Sequence, residues 1–126
     1  MATLELTAEN FNETIESNDI VIVDFWAPWC GPCKSFAPTF EAASESHPDV
    51  VFAKVNTEDE TELAQGCSIR SIPTLMLFRQ KILLFNEAGA LAPAQLEDML
   101  AKVKELDMDQ VRASMAEAEA EQAQGE

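Results

Sequence analysis

Basic residues are scarce in this chain: eight Lys and Arg stand against 23 Asp and Glu, a net charge of −15 at pH 7. Such a field repels phosphate backbones and anionic membrane surfaces, so neither nucleic acid nor a membrane is an expected partner. Long apolar runs are missing too. None approaches the roughly 18 residues of a membrane helix, which excludes a spanning segment. The opening stretch from Met1 to Thr7 has no basic region followed by an apolar one, so no secretory signal is expected. Cysteine is sparse: Cys30, Cys33 and Cys67 are too few, and odd in number, for a disulfide scaffold. The expected setting is then a reducing cytoplasm, where a close cysteine pair reads as metal-binding or redox-active.

What remains suits one domain. The chain has 126 residues, 47% of them apolar. Leu, Ile, Val and Phe together number 31, above the roughly 20% below which disorder is expected.

Ile20-Val-Ile-Val-Asp-Phe25 and Val50-Val-Phe-Ala-Lys-Val55 are short runs rich in β-branched residues, and each predicts a strand covered on both faces. The stretch between them, Cys30 to Ser46, has helical composition with an interior Pro38 that should kink it. Strand, helix and strand at this spacing make a βαβ unit with parallel strands. Upstream, Thr7 is placed to cap a helix reaching about Glu16. Downstream, Asp59 to Gln65 predicts a short helix stopped by Gly66. Thr74-Leu-Met-Leu-Phe78 and Ile82-Leu-Leu-Phe85 predict a hairpin joined by Arg79-Gln-Lys81, and Pro93 opens a last helix with Leu96, Leu100 and Val103 on one face. From Asp107 the composition turns acidic and Ala-rich. Asp107 and Gln110 resemble a capping box, and Met108, Val111, Met115 and Ala118 form a thin apolar stripe. Residues 107–126 are expected to be an extension, helical or frayed, of a domain spanning 1–106.

Trp26-Ala-Pro-Trp-Cys-Gly-Pro-Cys-Lys34 follows directly on the first strand. Helical residues three apart share a face, with Cβ atoms about 5–6 Å apart, so Cys30 and Cys33 can close a disulfide. At the helix start the Cys30 sulfur would meet free backbone N–H groups, which stabilise a thiolate and lower its pKa. Cys30 would attack a substrate disulfide, and Cys33 would then resolve the mixed disulfide. Gly31 would let a partner backbone come close, and Pro32 would restrain the first turn. Zinc is the competing use of a Cys-x-x-Cys pair, with His47 or Cys67 completing the site. Zinc normally draws on two short-spaced ligand pairs, and this chain offers one. His47 reads instead as a surface turn residue and Cys67 as a packing residue.

Asp24 shares a strand face with Ile20 and Ile22, which places a carboxyl in an apolar row and should raise its pKa. Lys54, on the matching face of the next strand, is positioned to approach it. Near a dithiol, Asp24 suits removal of the Cys33 proton. Pro73, in Ser71-Ile-Pro-Thr74, stands just before a strand, where proline is tolerated.

Asp24-Phe-Trp-Ala-Pro-Trp-Cys-Gly-Pro-Cys-Lys34, Pro38, Lys54, Ile72-Pro-Thr74 and Ala88-Gly-Ala90, in this order and spacing, resemble the thioredoxin family over roughly residues 1–106. The resemblance implies an α/β thioredoxin fold: a mixed five-stranded sheet of order 1-3-2-4-5 flanked by four helices. It implies Cys30 as nucleophile, Cys33 as resolving cysteine, Asp24 as buried acid and Pro73 as a cis-proline facing the dithiol. Trp29, Gly31, Pro32, Ile72 and Gly89 match the apolar rim on which disulfide substrates dock. The Gly-Pro pair between the cysteines is similar to that of reducing members. No bound cofactor is implied: electrons would come from NADPH through a separate thioredoxin reductase, the partners being that reductase and disulfide-containing proteins, and the chain acting as a monomer. The sequence departs from the family at Arg79-Gln-Lys81, which lacks the usual glycine, and at Cys67, Ser68 and Ser71 beside Pro73. The alternative from another class is a thioredoxin-fold chaperone or assembly subunit whose dithiol is secondary.

Overall fold

The structure, a computed structural model, describes residues 3–124. Its centre is β2 (Ile20–Trp26), flanked by parallel β3 (Val51–Asn56) and antiparallel β4 (Thr74–Arg79). Outside these lie β1 (Thr3–Glu5), parallel to β3, and β5 (Ile82–Ala88), antiparallel to β4, giving the order β1-β3-β2-β4-β5. The helices are α1 (Phe11–Ser17), α2 (Gly31–Ser46), α3 (Thr61–Gly66), α4 (Pro93–Glu105) and α5 (Met108–Gln124).

The β2 run is buried through Phe25 because alternate residues feed two separate cores. Ile20 and Ile22 pack with Phe52, Leu75 and Leu77 against Phe36 and Phe40 of α2 and Leu96, Leu100 and Val103 of α4. Val21, Val23 and Phe25 face the other way, against Leu6 and against Phe11 and Ile15 of α1. This two-sided cover explains why the strand reads as unbroken apolar sequence.

Two local expectations need correction. The first helix begins at Phe11 rather than after Thr7, because Asn10 Oδ1 accepts the Thr7 N–H at 2.6 Å and holds Thr7–Asn10 as a turn. Gly66 does not stop α3. The left-handed residue is Ser68, with φ 58°, and the N–H groups of Ser68 and Ile69 reach back to the carbonyls of Gln65 and Ala64 in a Schellman arrangement. His47 is the turn residue expected, its carbonyl accepting the Val50 N–H at 3.1 Å. It ends α2, and its ring lies 2.8 Å from both Glu97 Oε1 and Lys104 Nζ.

The hairpin connection is the two-residue turn Gln80-Lys81, shorter than the three residues expected, since Arg79 still pairs with Ile82. Both turn residues have positive φ, 51° and 72°, as the twist of a tight hairpin demands. Neither is glycine, so the turn carries strain. Lys81→Gly is expected to stabilise the protein by up to about 1 kcal/mol, once the greater chain entropy of glycine is set against the relief. The urea midpoint should rise with its slope unchanged.

Helix α5 is capped by Asp107, whose Oδ1 accepts the N–H groups of Asp109 and Gln110 at 3.0 and 3.2 Å. Met108 is buried in its first turn, and Arg112 donates to Gln80 Oε1, tying the helix to the hairpin turn. Beyond Val111 the described side chains are exposed.

Candidate active site

The chain leaves the C-terminal end of β2 at Trp26, turns through Ala27–Trp29 and enters α2 at Cys30. Cys30 is the N-cap rather than the first helical residue. Its backbone is extended, and its Sγ accepts the Cys33 N–H at 3.2 Å. Cys30 and Cys33 are bonded to each other, their Cα atoms 5.2 Å apart, so the site is in its oxidised form. The two residues are covered almost equally, 5% and 3% exposed, so burial alone does not divide their roles. Position does. In the reduced protein the Cys30 sulfur would face the Cys33 N–H and the positive end of α2, which favour its thiolate.

Asp24 is 1% exposed and lies on the α2 side of β2, alternating with Ile20 and Ile22. Neither carboxyl oxygen has a hydrogen-bond partner among the described residues. Burial pushes its pKa up to about 7, against the lowering effect of the Lys54 charge and with a smaller push from Glu5. Lys54 is its register partner on β3, as the shared strand face led one to expect. The Lys54 ammonium sits 4.7 Å from the centre of the Trp26 ring, a cation–π contact.

The facing lip comes from the other half of the chain. The Ile72–Pro73 peptide is cis, and the Ile72 carbonyl oxygen lies 3.7 Å from Cys30 Sγ. The Gly89 N–H donates to the Pro73 carbonyl at 2.8 Å. Gly89 has φ +100°, a conformation that any side chain would strain. Trp29 is 68% exposed, an unusual setting for a large indole, and Gly31 and Pro32 are exposed beside it. A Cβ built on Gly31 would meet nothing within 4 Å, so the surface at Gly31 itself is open. Trp29 and Ile72, with Thr57, Ile69, Arg70 and Ser71, line a groove of about 190 Å³.

Of the expected site residues, the structure packs Cys30 and Cys33 against Ile72, puts Trp29 and Ile72 on one groove, bonds Gly89 to Pro73 and pairs Asp24 with Lys54 in register. Thr57 and Arg70 were not singled out from sequence. Thr57 donates through Oγ1 and its N–H to the Trp26 carbonyl, at 3.0 and 2.8 Å, and so ties the end of β2 to the loop after β3. Its position one residue past that strand was the only available signal. Cys67 is half-buried against the α1-side core, and burial pushes its thiol pKa up, as fits a packing residue. His47 sits at the opposite end of α2 from the cysteine pair, apart from any shared ligand set.

A sequence model described as Thioredoxin matches residues 2–119. A Streptomyces coelicolor protein provisionally named thioredoxin 2 is 51% identical over 120 residues, covering 95% of this chain and 90% of its own. The thioredoxin of Alicyclobacillus acidocaldarius is 43% identical over 103 residues, 81% of this chain and 98% of its own. Among solved structures, mitochondrial thioredoxin 3 of Saccharomyces cerevisiae in its oxidised form superposes with a TM-score of 0.74 at 32% identity, over 79% of this chain and 94% of that one. Plasmodium falciparum thioredoxin gives 0.73 at 33% identity, over 79% and 97%. With a bonded cysteine pair at the tip of α2, these likenesses do not favour a chaperone whose dithiol is secondary. The chain belongs to the thioredoxin family and is a thiol–disulfide oxidoreductase acting on protein disulfides.

Proposed function

We propose that the protein works in the reducing direction, as a cytoplasmic monomer that carries electrons from NADPH, through a separate thioredoxin reductase, to protein disulfides. The observation that carries this reading is the Cys30–Cys33 pair at the N-terminus of α2, beside an open apolar groove. In the reduced form the Cys30 thiolate attacks one sulfur of a substrate disulfide, forming a mixed disulfide and expelling a substrate thiolate. The Asp24 carboxylate takes the Cys33 proton, with Lys54 holding its charge in place. The Cys33 thiolate attacks Cys30 Sγ and expels the second substrate sulfur. The substrate gains two electrons from the dithiol, and its two thiolates take one proton back from Asp24 and one from solvent, leaving the Cys30–Cys33 disulfide for the reductase to reduce. Trp29, Gly31, Pro32, Ile72, Pro73 and Gly89 hold the substrate strand against the dithiol. Residues 1–106 carry the chemistry, and 107–126 extend it. No nicotinamide, metal or other cofactor is bound by the chain itself.

A coupled assay with thioredoxin reductase, NADPH and a panel of disulfide proteins tests this. NADPH consumption should depend on Cys30 and proceed catalytically with at least one protein disulfide. Reduction of Cys30–Cys33 by the reductase with no onward transfer would overturn it.

A further inference from the structure

Of the eight basic side chains, five are engaged. Lys54 lies over Trp26, Arg79 reaches Asp19, Lys102 pairs with Asp98, Lys104 with Asp49, and Arg112 with Asp109. Among the described residues Lys34, Arg70 and Lys81 make no ion pair or cation–π contact. Lys81 lies in the hairpin turn at the far end of β4, and Lys34 on exposed α2 just past Cys33. Arg70 is different. It lines the docking groove with Trp29, Ser71 and Ile72, in a chain whose acids outnumber its bases almost three to one.

An exposed guanidinium without a carboxylate partner among the described residues, on the wall of a groove that is otherwise largely apolar, is placed to take one from outside. We propose that Arg70 is a specificity-determining residue of this groove, selecting disulfide partners that carry a carboxylate near the attacked cysteine. The inference rests on the docking role of the groove. The Ile72 carbonyl marks the position of the reacting sulfur, and Arg70 is two residues away, at most about 7 Å along extended chain. The matching acid therefore lies within about two residues of the substrate cysteine. Elsewhere the net negative field repels acidic partners, so Arg70 gives them a local foothold that falls off within about a Debye length.

The test uses the full-length protein and a set of disulfide peptides that differ only in Asp, Asn or Lys at positions flanking one cysteine. The readout is the ratio of kcat/KM for the Asp peptide to that for the Asn peptide in the same enzyme, so any general loss of activity cancels. Arg70→Ala should lower this ratio about threefold to fivefold, through KM rather than kcat. Arg70→Glu should lower it further and raise the Lys-to-Asn ratio in turn. Lys81→Glu changes the net charge as Arg70→Glu does but lies far from the groove, and should move the ratios by less than about twofold. The Arg70 effect should shrink as salt is raised. Ratios that are equal in the parent, Arg70→Ala and Arg70→Glu enzymes, or that shift as much in Lys81→Glu, overturn the inference while Cys30-dependent turnover of the Asn peptide upholds the reductase. Failure of every peptide to turn over would sink both.

Discussion

Changing Cys30 to Ser is expected to lower protein-disulfide turnover about a thousandfold or more, because a serine hydroxyl cannot exchange with a disulfide sulfur. Changing Cys33 to Ser should block turnover for another reason. The first attack still occurs, but nothing displaces the substrate from Cys30. The two variants therefore separate in what accumulates: free enzyme for Cys30→Ser, and a substrate–enzyme disulfide visible by intact-mass measurement for Cys33→Ser. The assignment follows from Cys30 capping α2 and accepting the Cys33 N–H. Near-equal exposure of the two residues gives no basis for choosing between them. If Cys30→Ser instead trapped substrate on Cys33, the roles would be reversed.

Asp24→Asn should change both stability and kinetics, each with its own pH signature. Burial raises the Asp24 pKa from 3.8 to about 7, so between those values the folded state holds a proton that the unfolded state has released. The contribution of this group is fully favourable below about 4 and is lost as pH rises through about 7. Three pKa units correspond to on the order of 4 kcal/mol. Asn carries no charge, so the variant should gain on the order of 2–4 kcal/mol over the parent at pH 8 and almost nothing at pH 4, as read from urea unfolding. Meanwhile resolution of the mixed disulfide should slow about a hundredfold, the usual scale of a positioned base. In the parent that step should speed up as pH rises through about 7, and the rise should disappear in the variant. Equal rates of formation and resolution in Asp24→Asn would remove the residue from the mechanism.

Strands and helices with continuous or periodic apolar residues were legible in the sequence, because two-sided burial leaves a direct trace. Ile20–Trp26, Val51–Asn56 and Gly31–Ser46 fall within a residue of expectation. Strand β1 had no such trace from residues alone. It is three residues long on the sheet edge, and only the resemblance implied it. The left-handed residues Ser68, Gln80 and Lys81 were also hidden, since none of them is Gly, Asn or Asp, the types that favour this conformation. Ring contacts such as His47 between Glu97 and Lys104 join residues some 50 positions apart, beyond what local pattern reports. In the site, the dithiol and Asp24 could be derived from spacing and strand face. The lip residues came from the family pattern, and the groove position of Arg70 required the fold.

The lip described above is closed by one backbone hydrogen bond, from Gly89 to Pro73, across from a sulfur at residue 30. A synthetic peptide covering residues 26 to 36 would keep both thiols but have no wall opposite them. It would swap sulfurs with whatever it met, slowly and without preference. Catalysis here is thus as all-or-none as the folding of the sheet, and on heating, selectivity for partners should vanish at the melting temperature while the thiols themselves stay chemically competent.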